Sequence, residues 1–529
     1  MTFLRENPVV SASVNLRIMC CVCKQLLTLR AGRVTIDILP DDVLLHIFLA
    51  DGQGHHMFPR MPLRDSHRVG RLPWKWHRLV HVCRRWRSII FASPNFLDIR
   101  LVCGPRTGLR FVDNWPPLPF ITITNAFDQQ DPEDYDFNAV IMYPNRVREI
   151  CFVDHGRERS LLQRLATATW MQEQFPAMTH LTLVRSINHQ VDFSSTAPIL
   201  PDGFLGRTAP RLQSLELTFI IFPALPNLLL SSTHLVRLTL QDIPESWYLS
   251  PEVIATALAM LVNLKRLIIT FLSPLSRPDR KSRNPPPPTS TVLPALTQYK
   301  FSGASDYLED FVARIDAPSL NSTYITFFPP LTSYLPRLAQ FMGRITRFQE
   351  LKVARMQFIY EDVFVEFLPP TTTKIPRAKP ALDELSMSCK LMVLEWRLSS
   401  ESLLAHVISS FFPSIYMVEH LHLGYSPQYL PPFVQLREVE GYAAEDVLWL
   451  DIFRPFTMLK NLHLSKPLAS KIAPALQALV GNRTTEVLPN LQTLFLIDIQ
   501  WQPLSDIPEG IQNFVAARQL SGHPITVSS

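Results

Sequence analysis

Glycine is scarce in this chain, at 16 of 529 residues, and cysteine scarcer, at seven. So few glycines leave no phosphate-cradling loop, and neither a Gly-x-Ser-x-Gly elbow nor a His-Glu-x-x-His helix occurs. Seven cysteines over this length argue against a disulfide-built secreted fold. No charged start leads into an apolar run and a cleavage site. The longest apolar runs, such as Leu225–Leu230 and Ala255–Val262, fall far short of the roughly 20 residues a membrane span needs. Charge of one sign is also missing: 51 basic against 46 acidic residues leave a net +5, and no basic stripe interleaved with aromatics appears. The expectation is a cytoplasmic or nuclear protein with no nucleic-acid partner, no membrane and no cofactor.

What the chain has in quantity is proline, 46 residues, within a sequence that is 47% apolar. That combination predicts a large interior built from many short elements with punctuated connections. At 529 residues the core must be elongated and modular, because one ordinary globular core stops growing well before that length.

Residues 1–35 read as a leader, either disordered or a short apolar helix through Leu26 and Leu27. Its Cys20-Cys21-Val22-Cys23 cluster has no second pair nearby to complete a metal site. The stretch that follows is more informative. Pro40 fits the opening turn of a helix, Asp41 and Asp42 face the positive end of its dipole, and Val43, Leu44, Ile47 and Phe48 make one apolar stripe. Further on, Leu79, Cys83, Trp86 and Ile90 fall at steps of four, three and four, which places them on one face of a second helix. Arg84, Arg85 and Arg87 lie off that face. Two helices this short must pack on each other or on a partner. Residues 51–73, with Gly52, Gly54, Pro59, Pro62, Gly70 and Pro73, read as an inserted loop, and the adjacent His55-His56 reads as exposed rather than metal-binding.

These residues resemble an F-box, the helical module that docks on the Skp adaptor of a cullin-based ubiquitin ligase. Leu39-Pro40-Asp41 is similar to its opening, Val82-Cys83-Arg84-Arg85-Trp86-Arg87 to its later part, and Ser93–Leu97 to its end. The resemblance places the module at 36–97, with the 51–73 interval longer than the usual turn. It implies that Leu39, Pro40, Leu44, Ile47, Val82, Cys83 and Trp86 contact the adaptor, with Arg84, Arg85 and Arg87 at the rim. Cys83, the only cysteine in a motif, reads as a packing or docking residue rather than a nucleophile.

Residues 98–170 contain three linking strands, near 97–102, 120–123 and 147–152, with an extended Trp115-Pro116-Pro117 segment between the first two. From 171 to 529 a local pattern recurs: an apolar residue, two variable ones, then apolar–any–apolar. Clear copies begin at Met178, Leu212, Leu235, Leu264, Leu296, Phe348, Leu382, Val418, Leu459 and Leu491, with a weaker one at Leu320. Starts from Met178 to Leu296 lie 23 to 34 residues apart. Each copy predicts one short strand with its triplet pointing inward, the rest of the unit returning on the other side. Returning helices are expected at 251–258, entered by Ser250 and Pro251, at 308–315, at 472–480 and around 514–518, with a closing strand at 525–527. Loops are expected at 273–291, with its Pro285–Pro288 run, and at 366–380, with Thr371–Thr373.

This is an α/β architecture: a small all-helical module, then an irregular solenoid of curved parallel sheet and returning helices. It resembles a leucine-rich-repeat solenoid, although the usual asparagine after each strand is mostly missing. The whole is similar to the large F-box family of mushroom-forming fungi, in phrases such as Phe311–Pro318 and Phe514–Pro524. That resemblance implies a non-catalytic substrate receptor, bound to a Skp-type adaptor and through it a cullin, with a protein target on the repeats. The rival reading is a repeat scaffold unconnected to ubiquitination.

Overall fold

The computed structural model describes residues 39–53, 79–93, 101–103, 121–124, 143–154, 172–185, 197–273, 290–328, 335–349, 351–359, 362–368, 392–397, 415–425, 445–479, 483, 485–497 and 507–528. The leader, His55-His56, Trp115–Pro117, Pro285–Pro288, Thr371–Thr373 and the copy at Leu382 lie outside them. The described residues fall into two compact units, one ending at Ser93 and one starting at Leu101.

The first unit holds helices α1 (Asp41–Gln53) and α2 (Arg84–Ala92). Asp41 and Asp42 occupy the first turn of α1, as the dipole favours. Pro40 stands one position earlier than expected, its carbonyl accepting the first helical bond from Leu44 N–H at 3.0 Å. The helix also runs to Gln53, three residues into the interval read as loop. The second helix departs further from its periodicity. Residues 81–83 break it, so Leu79 belongs to an earlier turn and Cys83 is the N-cap, extended at φ −155° and ψ 170°. Its Sγ accepts from Trp86 N–H at 3.4 Å. A thiol at a cap satisfies one of the orphan N–H groups that the first turn leaves open, a demand the apolar spacing does not show.

The second unit is organised by one 16-stranded sheet. Strands β1 (Leu101–Cys103), β2 (Ile121–Thr124), β3 (Val147–Asp154), β4 (His180–Arg185), β5 (Ser214–Thr218), β6 (Arg237–Ile243) and β7 (Arg266–Phe271) follow one another in parallel. β9 (Gln298–Gly303) and β11 (Ser322–Phe327) continue the series. A side pair, β8 (Thr291–Val292) with β10 (Ile315–Asp316), stands apart from it. The linking strands are thus the first three members of the main sheet.

Strand order then reverses. β12 (Val353–Ile359), β13 (Asp362–Leu368) and β14 (Met392–Arg397) form an antiparallel meander whose last strand pairs with β11 and whose first pairs with β15 (His420–Tyr425). Two expectations are corrected here. Residues 366–368 are strand rather than loop, and the Phe348 copy is misregistered by three. Ala354 and Met356, paired with Leu421 and Leu423, point inward behind a leading Leu351. Phe348, Leu351 and Val353 are all buried apolar residues, so the pattern matched in the wrong frame. β16 (Asn461–Ser465), β17 (Thr493–Ile497) and β18 (Thr526–Ser528) complete the sheet in parallel.

One physical rule builds the core. Leu181 and Leu183, Leu215 and Leu217, Leu238 and Leu240, Leu267 and Ile269 are each at most 2% exposed. Register aligns them in two inward columns, continued by Leu462 and Leu464, then Leu494 and Leu496. A fully buried leucine contributes about 1.5–3 kcal/mol of apolar transfer. The weak copy puts Thr323 into the same column, 1% exposed and with its hydroxyl unbonded. Each unit is also tied to the last before its strand begins. Lys352 O accepts N–H from Glu419 and His420, Glu419 O from Lys460 and Asn461, and Lys460 O from Gln492 and Thr493, all at 2.8–3.0 Å.

Returning helices line the apolar side: α3 (Leu225–Ser231), α4 (Pro251–Leu258), α5 (Ser305–Val312) and α6 (Pro336–Arg344), then α7 (Glu445–Phe453), α8 (Lys466–Gln477) and α9 (Glu509–Leu520). Consecutive members pack side by side within each group. α4 starts as expected, with Ser250 Oγ accepting from Val253 N–H at 3.2 Å. α5 stops at Val312, short of 315, because Ile315 enters β10. α9 seats against α8 where Gly510 meets Ala473; a Cβ there would stand 2.6 Å from the Ala473 carbonyl oxygen. Arg518 of α9 is 1% exposed and donates to the carbonyls of Pro489 and Leu491 at 3.2 and 3.3 Å.

Candidate functional site

In the first unit the ten residues singled out from the sequence take three different roles. Leu44 is fully buried, and Trp86 packs on Phe48 with ring centroids 4.7 Å apart, so these two hold the helices together. Arg85 bridges the helices: its Nη2 donates to Leu39 O and to Asp41 Oδ1, both at 2.6 Å, and its Nε donates to Asp41 Oδ1 at 3.0 Å. Arg87 Nε donates to Val80 O at 3.0 Å, and Cys83 caps α2. The resemblance makes all ten adaptor or rim contacts, some of them also holding the module together. Pro40, Arg84 and Arg87 are exposed, Val82 is 58% exposed, Leu39, Ile47, Cys83 and Arg85 are half-buried, and Leu44 and Trp86 are buried.

The second candidate lies on the other face of the long sheet. Strand geometry sends alternate residues to opposite faces, so the middle residue of every inward pair points away from the helices. Down the chain these middle residues are Thr182, Glu216, Thr239, Ile268, Lys300 and Tyr324, then Arg355, His422, His463 and Phe495. Apart from the buried Ile268 and Tyr324 the early members are polar or charged, and Arg237 and Arg266 add cations one step earlier on β6 and β7. Arg266 Nε donates to Gln298 Oε1 at 2.7 Å, and Lys300 Nζ lies 5.3 Å from the centre of the Tyr324 ring.

Late members form a ladder. Parallel register places Arg355 beside His422, His422 beside His463 and His463 beside Phe495. The His422 and His463 rings stack at 3.8 Å and 13°, and those of His463 and Phe495 at 4.3 Å and 6°. At the ladder's start Arg355 lies 3.8 Å from Glu366, itself 2% exposed. With its side-chain amide oriented so that the oxygen faces the guanidinium, Gln357 accepts from Arg355 Nη2 and Nε at 2.8 and 3.2 Å. Burial, and then the neighbouring His463, Arg355 and His420, pull the His422 pKa down from 6.5 to about 2. Burial and His420 lower that of His463 to about 4. At neutral pH both rings are therefore uncharged and the stack escapes like-charge repulsion. Beside it, Lys460 and Lys352 hold Glu419 at 2.8 and 3.1 Å, and these hydrogen bonds, Lys460 first, keep the Glu419 carboxylate below its ordinary pKa. His420 Nδ1 lies 3.0 Å from Asn461 Nδ2.

Among the described residues no group of three or more His, Cys, Asp or Glu side chains could hold a metal ion. No described helix is long and apolar enough to cross a membrane. The repeated leucines mark the strands but not the ladder between them. The signal was nevertheless present, since each residue enclosed by two inward leucines must face out.

No family model matches this chain, and no curated protein does. Among solved structures, a leucine-rich repeat-containing protein, LegL7 from Legionella pneumophila, is 15% identical, with 71% of this chain and 98% of that chain covered, at a TM-score of 0.26. The repeat architecture therefore stands on strand order and register. The F-box resemblance stands on the residues of the two-helix unit alone.

Proposed function

We propose that the chain is a non-catalytic repeat protein that binds a protein partner on the open face of its sheet. The observation that carries this reading is the division of labour between the two faces. The inward residues are apolar with the exception of Thr323 and are covered by helices, whereas the outward ones change chemistry from strand to strand. Stacked repeats create an extended surface whose positions can vary without disturbing the core. Photo-crosslinking tests it. A benzoylphenylalanine at Thr239 on the open face should capture a partner that the same group at Glu252, on helix α4, does not. Capture from Glu252 alone overturns the reading.

A second, finer reading is the substrate receptor of a Skp–cullin ubiquitin ligase, with catalysis supplied in trans by holding a target near the charged enzyme. Its support is the F-box-like sequence at both ends of the first unit, together with the exposure of Pro40 and Val82. Trp86→Ala is a poor probe because Trp86 holds the helices together. Ile47→Asp with Val82→Asp, which leaves the Phe48–Trp86 contact alone, should abolish binding of a purified Skp-type adaptor. Adaptor binding undiminished by that pair of changes, or none to the wild type, sinks this reading and leaves the scaffold.

A further inference from the structure

The late half of the open face carries a more specific implication, which rests on the protein-binding reading above. From His422 to Phe495 it presents a continuous stack of planar rings three strands wide, with Arg355 on the strand beside its first ring. Beyond Phe495 the next strand supplies Ser528, exposed and too small to continue the stack, so among the described residues no further ring lies against that face of Phe495. Along the strands lies a rim where two ammonium groups share one carboxylate, Lys352 and Lys460 on Glu419. Arg355 is already matched by Glu366. The rim thus holds one positive charge in excess beside an apolar, planar platform.

We propose that this patch binds an extended segment of a partner protein that places an aromatic side chain against the His463–Phe495 stack and a carboxylate against Lys352 and Lys460. Aromatic pairs prefer offset-stacked or edge-to-face contact, and both that face of Phe495 and the ring edges offer it. The rim row precedes the ring row by three residues. Alternate residues of a strand face the same way, and the outward His420, which feels the charges of Glu419, Lys460 and Lys352, stands two residues before His422; at about 3.3 Å per residue that is ~7 Å, so a segment lying along the strands carries its acid and its ring two positions apart, both on one side. The groups facing the patch that can titrate or carry charge are Lys352 and Arg355 on β12 and its approach, Glu366 on β13, Glu419, His420 and His422 on β15 and its approach, and Lys460 and His463 on β16 and its approach. Because the stacked imidazoles are neutral, capture is by ring contact and not by imidazolium charge.

The test uses the full chain and a fluorescein-labelled Gly/Ser decapeptide bearing Asp and Trp two positions apart. Control peptides carry Asn for Asp or Ala for Trp, and binding is read by polarisation. The wild type should bind the complete peptide at least threefold more tightly than either control, with less than a twofold change between pH 6 and 8. His463→Ala and Phe495→Ala should each weaken it at least threefold, while His463→Phe, which keeps a planar ring in the stack, should restore it. Lys460→Gln should erase the preference for Asp over Asn and spare that for Trp over Ala. Equal binding of the three peptides, no binding, or indifference to Phe495→Ala in a protein of unchanged circular dichroism overturns the inference. The broader protein-binding reading falls separately, through the crosslinking at Thr239.

Discussion

The two ends of the long sheet share one interior and differ outside. At β5–β7 the inward leucines back an outer row of Glu216, Thr239 and Ile268, flanked by Arg237 and Arg266. At β15–β17 the same inward leucines back His422, His463 and Phe495, which stack on one another. The comparison teaches that the inward column alone sets the strand and its register. The outward residue is free to take any chemistry that tolerates a neighbour about 4.8 Å away. In the early half that neighbour is met by mixed chemistry, Glu216 and Thr239 beside a buried Ile268, and in the late half by planar rings stacked on one another.

The strongest way to break this comparison is through the interior. Leu238→Ala on β6 and Leu462→Ala on β16 should each cost about 2–5 kcal/mol, since both side chains are fully buried. Hydrogen exchange at β6 and at β16 should show similar losses of local protection. A cost near zero at either site denies that the two halves share a core.

Acid should separate the halves next. His422 and His463 hold pKa values of about 2 and about 4 against an ordinary 6.5, so an unfolded chain takes up protons that the folded one refuses. Stability from these rings is fully present above pH 6.5. It falls as pH drops from 6.5 towards 4, where His463 titrates, and further towards 2 for His422. Hydrogen exchange at β15–β17 between pH 7 and 5 should show this loss, β5–β7 should not share it, and His463→Phe should reduce it. A flat profile at β15–β17 refutes the stacked neutral rings.

Smaller effects sharpen the contrast. His463→Ala should cost about 1 kcal/mol through lost ring contacts, whereas Thr239→Ala at the same position on β6 should stay within ~0.5 kcal/mol, both read from urea midpoints. Thr323→Val exchanges an unbonded hydroxyl in the inward column for a methyl and should be neutral or stabilising by up to about 1 kcal/mol. A clear loss there means that the hydroxyl has a partner.

The interior was legible in the sequence because burial imposes a period. The copies at Leu212, Leu235, Leu264, Leu459 and Leu491 fall where strands occur, and Ser250-Pro251 announces α4 through capping chemistry that is local in the chain. What depends on non-local pairing was not legible. Phe348, Leu351 and Val353 satisfy the pattern, yet only pairing with β15 shows that Ala354 and Met356 are the inward pair. Cys83 satisfies a helical stripe, yet the chain breaks there and uses its sulfur as a cap. For the sheet face the difficulty was of another kind: outward positions follow no rule of their own, so the ring ladder emerges only once the register aligns His422, His463 and Phe495.

The reversed meander also bears on how the chain is made. Within the parallel runs from β1 to β11 and from β15 to β18, each new strand of the main sheet adds to the main-sheet strand completed before it, and assembly can keep pace with synthesis. β11 is different, because its next neighbour is β14 and not β12. A nascent chain that has completed Phe327 must wait until Arg397 has been made before that edge closes. At about 5–20 residues per second the delay is several seconds. Throughout it β11 exposes a row of unpaired N–H and C=O groups, the kind of edge that recruits foreign strands. A ribosome stalled between these points should therefore yield the intermediate most in need of a chaperone.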